Sequence, residues 1–374
     1  MAAPGIAAIP ISIDAVSPDA DTSDLLAAVL RANARVSDVI FSPGRTLQVQ
    51  IHGSLINLEA PGLPALTADD TRRIASQLLG NNKAAIGMLR EQGYCDVSYA
   101  LPGVARFRVN VFIQRGSCAV VMRVIPTAIP TLKALGAPEE LEKFLALGPG
   151  LVLVTGPRSS GKSSTLAALV NHINESVSCH IITVEDPIEF LHNHKRATVH
   201  QRELHSDTPS VAQALRAALR QAPNMIVIGE LKDRETTELA LEAAETGHLV
   251  LSTLNTLNAE KAVERLRGSF ASGEQASVRE RLGRILRCVV CQRLIPRIRD
   301  GERVAVFELV PPESVLAGER SPRSGMRGLD EEMERLVRSG VIAPEIALAH
   351  ALDPASLARA LASSRPGSRK PSSR

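Results

Sequence analysis

At 374 residues, 44% apolar and 22% charged, the chain has the make-up of a folded globular protein and exceeds what one hydrophobic core usually holds, so disordered, collagenous and coiled-coil readings fall away and two folded units are expected. The net charge is only +3, and with no Trp, two Tyr and seven Phe the chain is poorly supplied with base-stacking platforms, which argues against a nucleic-acid partner. No apolar run approaches the roughly 18–20 residues that span a bilayer, and no basic n-region precedes an apolar h-region, so a cytosolic origin is expected.

Residues 1–21, rich in Ala, Pro, Ile and Asp without a helical period, read as a flexible leader. A first helix opens at the capping cluster Asp21 to Asp24 and carries Leu25, Leu26, Val29 and Leu30. Short alternating strands follow at Leu47 to Ile51 and near Ser54 to Leu58, joined by the turn pair His52-Gly53. Thr67 and Asp70 form the two ends of a capping box that opens a helix with Ile74 and Leu78. The runs Val97 to Leu101 and Val104 to Phe112, divided by Pro102-Gly103, predict a hairpin. Together these elements predict a small α/β domain over residues 22–145.

The pattern then changes. Leu151 to Thr155, Ile181 to Val184, Met225 to Ile228 and Leu249 to Thr253 are short continuous apolar runs separated by helical segments, which predicts a buried parallel sheet over residues 146–312. The five cysteines, an odd count in a long chain, fit a reducing compartment better than a disulfide framework. Cys288 and Cys291 have metal-like spacing but no second pair, and the apolar stretch Ile285 to Ile295 around them reads as a core helix. Residues 313–363 are charged and helical, through Leu329 to Ile342 and Pro344 to Leu361. Residues 364–374 read as a disordered tail, in which Arg365 to Arg374 holds four basic residues and no acidic one; solvation is the expectation, with weak contact to acidic lipid or nucleic acid as the alternative.

The segment Gly156-Pro157-Arg158-Ser159-Ser160-Gly161-Lys162-Ser163-Ser164 follows one of the apolar runs and opens a helical stretch, the order that a phosphate-binding loop requires. Glycines let backbone N–H groups close around phosphate, Lys162 neutralises its charge, and the Ser163 hydroxyl suits magnesium, so ATP and Mg2+ are the expected cofactors. Arg158 either points outward or adds a phosphate contact. Such a site also needs carboxylates at the ends of neighbouring strands, to hold magnesium and activate water. Glu185, Asp186 and Glu189 follow one predicted strand, and Glu230 follows another through Gly229.

With these motifs the chain resembles the type IV pilus retraction ATPases, the PilT and PilU group of the secretion ATPases, as a divergent paralogue. Ile182 to Phe190 resembles the Asp box of that family, Ile226 to Asp233 its Walker B segment, and Ala244 to Val250 its His box. His205, Asp207, Arg216 and Arg220 also stand where the group would place them. The resemblance implies a PAS-like N-terminal α/β domain, a RecA-like P-loop domain and a helical extension. It implies Glu189 as the base that positions water, Glu230 as the carboxylate acting on magnesium, and His248 as the γ-phosphate sensor. Gly103 to Asn110 and Met122 to Pro126 resemble arginine-bearing strands, which makes Arg106, Arg108 and Arg123 catalytic groups acting across a subunit boundary. It further implies a homo-hexamer, an inner-membrane platform protein and a paralogous retraction ATPase as partners, and a cytoplasmic location at the inner membrane.

Four departures from the family pattern stand out. Asn255 replaces a second His, Arg158-Ser159 replaces a small residue and a Gly, and Gln50 replaces an Arg while Ser37-Asp38 survives without its usual His neighbour. The stretch from Glu308 to Gly325 is short, and no retraction motif is recognisable in Val310 to Arg323. These keep open a second reading, a regulatory ring subunit with little hydrolysis. An assembly or type II secretion ATPase would carry a longer N-terminal region and a four-cysteine insert.

Overall fold

The computed structural model describes residues 21–51, 54–58, 64–125, 128–299, 302–317 and 328–363. The expected leader, the His52-Gly53 turn, Pro126, residues 318–323 of the stretch searched for a retraction motif, and the basic tail lie outside them. The chain divides into two compact units at Ala128/Ile129.

The first unit is built from α1 (Thr22–Ala32), β1 (Val36–Phe41), β2 (Gln48–Ile51), β3 (Ser54–Asn57), α2 (Ala68–Leu79), α3 (Lys83–Gln92), β4 (Tyr94–Leu101), β5 (Ala105–Gln114) and β6 (Ser117–Ile125). Asp21 caps α1, and Thr67 and Asp70 form the expected reciprocal capping box on α2, each satisfying an N–H that the helix itself cannot. The six strands pair antiparallel in the order β3-β2-β1-β6-β5-β4. Gly103, at φ 71, supplies the left-handed turn of the β4–β5 hairpin. One sheet face, with Phe107, Val109, Val111 and Met122, joins Leu26, Val29, Ile74 and Leu78 in a single core.

The second unit begins earlier than the expected boundary at residue 145. Leu132 and a 3-10 helix, Glu139–Leu145, bury apolar side chains with Val152, Val154 and Leu169, so this segment belongs to the second core. Then follow β7 (Gly150–Thr155), α4 (Lys162–Ser176), β8 (His180–Glu185), β9 (Thr198–Glu203), α5 (Val211–Ala218), β10 (Met225–Ile228), α6 (Arg234–Glu245), β11 (Leu249–Leu254), α7 (Ala259–Gly268), α8 (Gln275–Ile285), β12 (Leu286–Pro296) and β13 (Arg303–Val310). The sheet order is β13-β12-β7-β11-β10-β8-β9, with only the β12–β13 pair antiparallel. The central strands β7 and β10 are apolar almost throughout because both faces of the sheet are covered: Val152 and Val154 of β7 pack with α4, while Leu151 and Leu153 pack with the layer containing α6 and α8.

Two expectations are corrected. Ile285 to Ile295 is not a core helix: α8 ends at Ile285 and the run becomes β12, flanked by β7 and β13. Continuous burial on both faces needs no periodicity, so the apolar pattern fits either structure until pairing decides. Pro344 to Leu361 is not one helix but two, α11 (Pro344–His350) and α12 (Pro354–Ser363), after α9 (Pro312–Ala317) and α10 (Leu329–Arg338). The break is held by Asp330, whose carboxylate accepts from Leu352 N and Asp353 N, both at 2.8 Å. Met333, Leu336, Ala347 and Leu357 join the same core as α6 and α8, so these helices are part of the second unit. Among the described residues no helix is long and apolar enough to cross a membrane.

Candidate active site

In the second unit β7, β11, β10 and β8 end on one side of the sheet, and the connection from β7 to β8 skips the two strands between them. A crevice outside the carboxyl ends of such strands is where α/β sheets bind ligands. Here it is a cavity of about 790 Å3.

β7 delivers the chain to Gly156, whose N–H is anchored on Leu254 O at 3.3 Å. A Cβ there would lie 2.3 Å from the Gln292 carbonyl and 2.5 Å from Ser160 Oγ, so only glycine fits. Gly161, at φ 88, opens α4 without any side-chain cap, which leaves first-turn N–H groups of a 15-residue helix available to an anion. Ser160 Oγ is buried without a hydrogen-bond partner among the described residues, and the residue lines the cavity. Lys162 Nζ donates to Gly156 O at 3.0 Å and Pro157 O at 2.8 Å. Burial lowers the lysine pKa, Arg158 adds to that, and Glu230 and Glu189 pull it back up. Close glycines, an orphaned hydroxyl, an uncapped helix start and a lysine between carboxylates fit nucleotide phosphates.

Glu230 follows β10 through Gly229, whose N–H is tied to Val184 O at 2.9 Å. Its Oε1 accepts from Asn255 Nδ2 at 2.6 Å, across the ends of β10 and β11. Glu185 closes β8 with Oε1 accepting from Thr183 Oγ1 at 2.6 Å and Gln201 Nε2 at 3.1 Å, and burial raises its carboxyl pKa. Glu189 is exposed between buried Ile188 and Phe190. Asp186 is paired with Lys232 at 2.9 Å.

Residues 158–164, Glu189 and Glu230 all line this one cavity, while Gly156 and Pro157 supply the carbonyls that hold Lys162. His248 does not join them, which corrects its expected place at the γ-phosphate. It precedes β11, where its carbonyl accepts from Gly150 N at 3.2 Å, and its Nδ1 lies 2.9 Å from Ala243 O. Leu254, at the other end of β11, pairs with Thr155 beside the P-loop. A strand of six residues at about 3.3 Å each puts roughly 20 Å between the ends. Asn255 holds the cavity end of that strand. Two further residues had no signal in the sequence. Gln292 of β12 accepts from Thr165 Oγ1 at 2.7 Å beneath the P-loop, and Gln201 of β9 reaches Glu185.

In the first unit, Arg106 and Arg108 of β5 lie on the face opposite the core, and Arg108 stands directly across from Arg123 of β6. Arg123 Nε donates to Asp38 Oδ1 at 2.9 Å on the next strand. Cross-strand register therefore lines up Gln50, Asp38, Arg123, Arg108 and Ser98 over five strands.

Residues 96–335 match the family model described as "Type II/IV secretion system protein". The chain is 39% identical over 316 residues to a twitching motility protein of Neisseria gonorrhoeae, covering 81% of this chain and 83% of that one. It is 35% identical to the type IV pilus ATPase PilU of Pseudomonas aeruginosa, covering 84% and 85%. A crystal structure of the pilus retraction motor PilT with bound ADP superposes with a TM-score of 0.82 at 36% identity, over 91% of this chain and all of that one. The chain belongs to the type II/IV secretion system protein family and, within it, to the PilT/PilU group of pilus-retraction ATPases.

Proposed function

We propose that the chain is an ATP-hydrolysing hexameric motor of a type IV pilus system, driving retraction and twitching motility or assisting a principal retraction ATPase. The observation that carries this reading is the convergence of Lys162, Ser163, Glu189 and Glu230 on one cavity at the switch point of the sheet. Lys162 binds phosphate charge, Glu189 orients the attacking water, and Glu230 acts on the metal and its water. When bound, magnesium supplies charge neutralisation along the phosphates, with Ser163 and Glu230 as its holders. Arg106, Arg108 and Arg123 complete a neighbouring subunit's site. In support, Arg106 and Arg108 lie on the face of β5 opposite the core, with Arg108 directly across from Arg123, whose own partner is Asp38. Hydrolysis then drives domain rotation, transmitted to an inner-membrane platform protein from the cytoplasmic side.

One observation favours a second reading, a weakly hydrolytic regulatory ring subunit: the Asn255 amide engages the Glu230 carboxylate. Magnesium-dependent phosphate release across a protein concentration series, with light scattering to follow assembly, separates the two. Turnover that rises as hexamers form and disappears in Glu230→Gln, which still binds ATP, is expected for the motor. Tight ATP binding without turnover in assembled rings would establish the regulatory subunit.

A further inference from the structure

The outermost strand β9 holds the loop that carries Glu189. Gln201 makes three hydrogen bonds: Nε2 donates to Phe190 O at 2.9 Å and to Glu185 Oε1 at 3.1 Å, and Oε1 accepts from His192 N at 2.7 Å. Glu203, two residues along and so on the same face of the strand, accepts from Ile188 N at 3.1 Å through Oε2. The backbone is thus fixed at 188, 190 and 192, and Ile188 and Phe190 are themselves buried at 3% and 8% exposure. Between these two buried side chains Glu189 faces outward. A carboxylate that merely solvated the surface would gain nothing from a loop held on both sides, whereas one that must place water over the P-loop would.

We propose that Gln201 is a positioning residue for hydrolysis. Through Phe190 O and His192 N it sets where the Glu189 carboxylate stands, and through Glu185 it ties that loop to the cavity wall. The inference rests on the reading of Glu189 as the group that orients water.

Gln201→Glu and Gln201→Ala separate positioning from simple support. The glutamate keeps the acceptor for His192 N, loses both donors and sets a third carboxylate beside Glu185; protonation returns one donor. In assembled rings at pH 8 both variants should lose roughly 10- to 100-fold in kcat, with affinity for a fluorescent ADP analogue unchanged. The Q201E rate relative to wild type should rise as pH falls from 8 to 6, while the Q201A ratio stays flat. Turnover within twofold of wild type in Q201E at pH 8, or parallel pH profiles for the two variants, would overturn the proposal. Glu189→Gln run alongside tests the underlying reading: wild-type turnover there removes Glu189 from the chemistry, whatever Gln201 does.

Discussion

Asn255 Nδ2 donates to Glu230 Oε1 at 2.6 Å, joining the carboxyl ends of β11 and β10 at the floor of the phosphate cavity. An amide donates whatever the pH, so Glu230 keeps this partner throughout the physiological range. Asn255→Ala removes a hydrogen bond to a charged group, a contact contributing about 1.5–3 kcal/mol, and turnover should fall on the order of tenfold or more. Asn255→His places a titratable ring there. The neighbouring carboxylate favours the imidazolium and holds its pKa above the usual value of about 6.5, so the variant should acquire a pH-dependent kcat that wild type lacks. Parallel profiles for wild type and Asn255→His, measured from pH 6 to 8.5, would show that the side chain at 255 does not act on Glu230.

Ser159 occupies the left-handed region at φ 61, at the tip of the P-loop. An L-residue there is disfavoured by about 1–2 kcal/mol, and glycine returns part of that advantage through its greater unfolded-state freedom. Ser159→Gly should therefore stabilise the protein by about 0.5–1 kcal/mol and raise the melting temperature by roughly 1–3 °C. A lower melting temperature would mean that the serine side chain contributes more to the loop than its backbone strain removes.

Glu308 of β13 titrates far from the ordinary carboxylate range. Burial, with Asp330 and Glu331 adding like charge against the opposing Arg293, pushes its pKa from 4.5 up to about 7. The folded state then binds more protons than the unfolded state between these values, so this group's contribution to stability declines as pH rises from about 4.5 to 7 and levels off above. The full effect is on the order of 3 kcal/mol. Glu308→Gln should be more stable than wild type at pH 8 and nearly equal at pH 4.5 in denaturant titrations. Equal stability at both pH values would show that Glu308 ionises in the fold without penalty.

The cysteines should divide by burial. Desolvation pushes Cys95 up to about 11 and Cys288 up to about 12, and it also raises Cys291, wholly buried beside Glu308, well above the ordinary thiol range. Since the thiolate is the reactive form, a disulfide reagent at pH 8 should reach only the partly exposed Cys118 and Cys179 in the native protein, and all five after unfolding. Fast native labelling of Cys288 or Cys291 would contradict the buried β12.

Local order made much of this protein legible from its residues alone. A strand, a glycine-bearing loop, Lys162-Ser163 and a helix are contiguous, so the phosphate cradle and the carboxylates closing β8 and β10 follow from short-range rules, as do the caps at Asp21 and Thr67. Pairing decided the rest. The Cys288–Cys291 run satisfies helix and buried strand equally, and only its hydrogen bonds to β7 and β13 select the strand. His248 and Asn255 stand at opposite ends of β11, and which end meets the phosphate depends on Leu254 pairing with Thr155. Gln201 and Gln292 carry no motif. They reach the site because hydrogen bonding sets β9 beside β8 and β12 beside β7, a long-range arrangement that no local pattern of residues contains.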